Sequence, residues 1–180
     1  PLGISLLIGV FWIEAAMRFP PIATVMILVM AAAAIIAMLR AGDSWRELAP
    51  VGLYAGWLTA ATGVAVSVVA TGYGILSPRT AAIALIICVL IAAVAVASAR
   101  PRLWTYRAGV IWALFGVIVA NVGAGDWLIA TICGAGILML DVTAADDTSY
   151  VASPALPGTN STLTGLTGNV VANGLYLYKN

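Results

Sequence analysis

The sequence predicts an all-α, polytopic transmembrane helix bundle of about six spans, followed by a polar tail outside the membrane. Three observations carry this. Hydrophobic residues make up 63% of the 180-residue chain and charged residues 8%. The mean hydropathy of +1.08 is too high for an ordinary water-soluble domain. Apolar runs of roughly bilayer-crossing length recur through residues 1–140, broken by short turns carrying Arg, Pro, Gly or Asp. Lipid offers no hydrogen bonds to backbone groups inside such runs, so they must be helical.

The runs follow in order. The first, Leu2 to Met17, ends at Arg18 and the Pro20-Pro21 pair. The second, Ile22 to Leu39, ends at Arg40, and a polar turn over 41–49 holds Asp43, Arg46 and Glu47. The third runs from Val51 to about Gly72, and Ser77-Pro78-Arg79 closes the next turn. The fourth is Thr80 to Ser98, followed by Arg100-Pro101-Arg102. The fifth is Leu103 to Asn121, with Asn121 read as its C-terminal cap. Asp126 is placed to cap the sixth, Trp127 to Leu140, which is short for a span. Residues 141–180 are rich in Thr, Ser, Gly and Asn, and read as a poorly structured extension or strand-like cover. The chain opens at Pro1 on an apolar run, so a missing start or a removed segment is expected.

Composition excludes several functions. A net charge of +1 provides no basic field for nucleic acid. The absence of histidine removes His-ligated haem or chlorophyll, a Ser-His-Asp triad and a His-rich zinc site. Cys88 and Cys133 lie in apolar runs and read as small buried hydrophobes, so no metal site is expected. No Walker loop, Cys-x-x-Cys or paired-carboxylate site is present, which points away from an enzyme. Arg40, Arg46, Arg100, Arg102 and Arg107 fall on one side of the bundle, Arg18 and Arg79 on the other. The richer side, with both termini and the tail, is expected to be cytoplasmic.

A few residues stand out. Glu14 lies within the first run, and its spacing from Arg18 puts both on one helical face as an intramembrane ion pair. Gly52, Gly56 and Ala60 line one face of the third run, for packing within the chain or across a dimer seam. Trp45, Trp104 and Trp127 fall at run ends, as interfacial anchors do. Trp12, Trp57 and Trp112 sit deeper, as packing residues or the walls of an aromatic pocket.

In the third run, Tyr54, Trp57, Ala61 and Thr62 follow the spacing of a signature helix: Tyr, Trp three residues on, then Ala-Thr. Over roughly residues 4–140 the chain resembles the tryptophan-rich sensory protein (TspO/MBR) family, in its longer bacterial branch. Leu53 stands where that family usually has Pro, and Ala65 where it often has Asn. The resemblance implies a helical bundle with an aromatic-lined cavity for tetrapyrroles, sterol-like or other hydrophobic ligands. The ligand-binding candidates it carries over are Trp12, Tyr54, Trp57, Ala61 and Thr62.

The expected function is a TspO-like, non-enzymatic sensor or carrier in the bacterial inner membrane, binding a hydrophobic or tetrapyrrole ligand. The rival is an accessory or structural subunit of a photosynthetic or respiratory assembly, packed against carotenoid, lipid or quinone. No covalent cofactor is expected. The expected partners are membrane lipid, a hydrophobic small molecule, and a second copy or the subunits of a membrane complex.

Overall fold

The computed structural model describes residues 1–42, 44–100 and 103–148, and of 143–148 the backbone alone. The described residues form six helices and no strand: α1 (Leu2–Arg18), α2 (Pro20–Arg40), α3 (Trp45–Gly72), α4 (Pro78–Ala99), α5 (Trp104–Ala124) and α6 (Trp127–Thr148). Four of them, α2 to α5, are long and apolar enough to cross a membrane. The 17 residues of α1 reach about 25 Å, the lower limit for a span. The apolar part of α6 covers Trp127–Val142. One compact unit comprises Pro1–Ala144. Of the second, Ala145–Asn180, only the helical backbone of 145–148 falls among the described residues. The expected tail therefore lies mostly outside them, as do Asp43 and Arg102.

Several helices run further than their apolar cores. The turn expected over 41–49 is short, because α3 takes in Trp45, Arg46, Glu47 and Pro50. Glu47 suits the positive end of the helix dipole, and a proline this early removes a single backbone bond. Asn121 is not a cap: it lies inside α5 and its Nδ2 donates to the Val117 carbonyl at 2.8 Å. The helix ends at Gly125, whose φ of 80° is the left-handed conformation that glycine adopts without strain. Nothing after Leu140 breaks α6, so it continues to Thr148.

Helices α1 and α2 pack antiparallel. Ser5 and Trp12 of α1 bond to Met30 and Ala23 of α2 in opposite sequence order. The central element is α3, which packs on α2, α4 and α5. It runs parallel to α5, with Gly52 facing Thr105 and Gly56 facing Tyr106 and Gly109. Gly136 of α6 likewise faces Leu90 of α4. The outer face of α1, including Leu7, Val10, Phe11 and Met17, is exposed as lipid-facing residues are. Cys88, expected to be buried, is exposed on α4, whereas Cys133 is buried.

Polar contacts tie the helix ends. Arg100 donates to the Leu39 and Ala41 carbonyls at 3.0 and 2.7 Å, satisfying acceptors at the C-terminus of α2. Ser77 caps α4 through the Thr80 N–H at 3.2 Å. Asp126 sits at the start of α6, 3.5 Å from the Ile129 N–H, and pairs with Arg79 of α4 at 3.1 Å. These contacts fix the ends between which a cavity opens.

Candidate functional site

Small residues on facing helices leave space where no large side chain fills it. A cavity of about 610 Å³ lies among α1 to α5, within the size range of small-molecule sites. Trp12 and Ala16 of α1, and Ala23, Thr24 and Ile27 of α2, form one wall. Between Trp57 and Val69, α3 supplies the longest wall. Leu85 and Val89 of α4 and Leu114 and Val117 of α5 complete it. All these stretches lie toward the end where the α1–α2, α3–α4 and α5–α6 turns gather.

Trp12 and Trp57 come together in this cavity from separate helices. The Trp12 Nε1–H donates to the Ala23 carbonyl at 3.0 Å, so its ring is held in place with no donor to spare. Trp57 remains 47% exposed, at the side where Val64 and Val68 also face outward. Ala61 lines the cavity, and so does Ala65, where a methyl group replaces the polar side chain the family often has.

Tyr54 and Thr62 do not line it. The Tyr54 hydroxyl lies 3.1 Å from Ser5 Oγ, and the buried Ser5 hydroxyl donates to the Met30 carbonyl at 2.9 Å. This links α1, α2 and α3 beside the cavity. Thr62 donates to the Leu58 carbonyl, one turn back on its own helix. Trp112 is 72% exposed and stacks on Phe115, with ring centroids 6.5 Å apart, facing away from the bundle. The deep position expected for it in the chain does not make it a pocket residue.

Gly52 and Gly56 are buried against α5, so that face is occupied within the chain and is not open as a dimer seam. Ala60 is buried on the same helix and borders the cavity. Glu14 and Arg18 pair on α1 with both side chains largely exposed. Neither lines the cavity, and no charged residue among those described does. Trp45 and Trp104 stack at the other end of α3 and α5, their centroids 5.7 Å apart. Among the described residues, no group of acidic residues or cysteines is placed to hold a metal ion.

Sequence reasoning missed Thr24, which with Ser67 supplies the side-chain hydroxyls of the cavity wall; Ser67 stood out only as one of the few hydroxyls available to a buried indole N–H. A single hydroxyl in an apolar helix carries no periodic signal; only its depth relative to Trp57 could have marked it.

A family model described as TSPO-like protein matches residues 2–145. The match includes the stretch from Tyr54 to Thr62 and agrees with the resemblance found there. No curated protein and no solved structure matches the chain.

Proposed function

Because the chain belongs to the TSPO-like family, we propose that this helical membrane protein is a non-enzymatic sensor or carrier whose cavity holds a flat hydrophobic ligand. One observation carries the reading: Trp12 and Trp57 are brought to the same apolar cavity by separate helices. Aromatic faces in a dry pocket favour a planar ring system. No charged residue among those described lines the wall, so a tetrapyrrole would bury its ring here and keep its carboxylates at the mouth.

The arginine-rich end, with Arg40, Arg46, Arg100 and Arg107, is read as cytoplasmic. The cavity then opens toward the opposite leaflet. A bacterial inner membrane is the setting this reading assumes.

The test is a titration of the detergent-dispersed protein with 1-pyrenebutanol, followed by energy transfer from tryptophan to pyrene. Affinity is read from the midpoint, since removing a tryptophan also lowers the amplitude. Trp57→Ala is expected to weaken binding about tenfold or more, the size of a lost stacking contact together with its buried area. Unchanged affinity would place the ligand elsewhere.

A further inference from the structure

The hydroxyl groups of α3 are nearly all committed within the protein. Tyr54 bonds to Ser5. Thr59, Thr62 and Thr71 each donate to a carbonyl one helical turn back. Ser67 differs. It lines the cavity, and its hydroxyl has no hydrogen-bond partner among the described residues. A serine inside a helix ordinarily back-bonds as its threonine neighbours do.

The other polar groups of the wall have less to offer. Trp12 spends its N–H on Ala23. Thr24 donates its one proton toward the Pro20 carbonyl at 2.9 Å, with the Ala65 carbonyl 3.4 Å away. Toward a ligand it can only accept. Trp57 keeps an N–H, but it lies about 15 Å from Ser67 along the helix axis. Ser67 is therefore the wall hydroxyl whose proton and lone pairs are both uncommitted.

Position adds a second argument. Ser67 is close to the C-terminal end of α3 at Gly72, whereas Trp57 is near the middle of the helix. Val64 and Val68, 58% and 56% exposed, border the same stretch and open it toward lipid. A molecule entering from the bilayer with its polar end near the interface would bring that end to Ser67 and its apolar body to Trp57.

We propose that Ser67 is the specificity-determining residue of the cavity, and that the ligand is a neutral amphiphile with a single uncharged oxygen bonded there. This rests on the reading of the cavity as a ligand site. The absence of a charged residue from the described wall argues against an ionised head group, whose burial unpaired is costly. The lone uncommitted hydroxyl matches one hydroxyl or carbonyl oxygen and leaves further polar groups unsatisfied.

The experiment compares 1-pyrenebutanol with 1-butylpyrene, which lacks the oxygen, on the whole protein and on Ser67→Ala. The protein is expected to prefer the alcohol by about fivefold, the size of one neutral hydrogen bond. Ser67→Ala is expected to bring the affinity for the alcohol down to that for the hydrocarbon. Equal binding of both probes by the unaltered protein would overturn the anchor and leave the cavity reading standing. A preference that survives Ser67→Ala would do the same. Saturable binding of neither probe would overturn the cavity reading, and the anchor with it.

Discussion

Near Gly52 and Gly56, α3 lies so close to α5 that a Cβ added at Gly56 would run into the Tyr106 carbonyl oxygen. From Trp57 to Val69 the same helix borders a cavity of about 610 Å³. The first region is glycine against glycine, since a Cβ at Gly109 would come within 2.6 Å of the Leu53 carbonyl oxygen. The second is lined mostly by alanine, valine, leucine and isoleucine, with two tryptophans. In lipid, helices gain little by merely hiding apolar surface from their surroundings, so close backbone approach does the holding. Where glycine permits that approach the bundle is closed. Where side chains hold the helices apart, and none is large enough to fill the gap, it stays open. One end is the clamp, and the other holds the cavity that we propose as the receptacle.

Breaking the clamp should have the largest effect. Gly56→Val forces branched carbons against the backbone of Tyr106, which cannot move as a side-chain end could. A loss of about 3 kcal/mol or more is expected, or failure to assemble. Thermal unfolding of the dispersed protein measures it, and near-native stability would mean that the α3–α5 contact is looser than described.

A smaller change sharpens the boundary between the regions. Thr59 and Tyr106 lie beside the clamp with their hydroxyl oxygens 3.1 Å apart, both buried. Thr59→Val keeps the shape, removes this bond and the one to the Ala55 carbonyl, and leaves the buried Tyr106 hydroxyl without its partner, at an expected cost of about 2 kcal/mol. Ligand affinity is expected to stay within about twofold, because Thr59 does not line the cavity. A large loss of affinity with little loss of stability would show that clamp and cavity are not separate.

The two regions were unequally legible in the sequence. The spacing of Gly52 and Gly56 marks a packing face, but nothing local says that α5 covers it. Trp57 and Ala61 were found through the spacing of the third run, and Trp12 through its depth. Trp112 looked equally deep yet faces outward. Helices that are apolar all round carry no amphipathic signal to tell a bundle-facing tryptophan from a lipid-facing one. Tyr54 fits the family's spacing, but its hydroxyl is directed to Ser5, a partner 49 residues away in sequence. The span cores were readable from hydropathy. Their ends were not, because Trp45, Arg46 and Glu47 extend α3 through polar sequence.

The central claim is that the open half of α3 is a receptacle, and filling it tests that most directly. Ala61→Phe places a ring in the cavity and leaves Gly52, Gly56 and Gly109 untouched. Titration with 1-pyrenebutanol should show affinity reduced tenfold or more, roughly the loss of a stacked, buried ring, while thermal stability stays close to that of the unaltered protein. Retained affinity in a stably folded Ala61→Phe protein would contradict the account and place ligand binding outside this cavity.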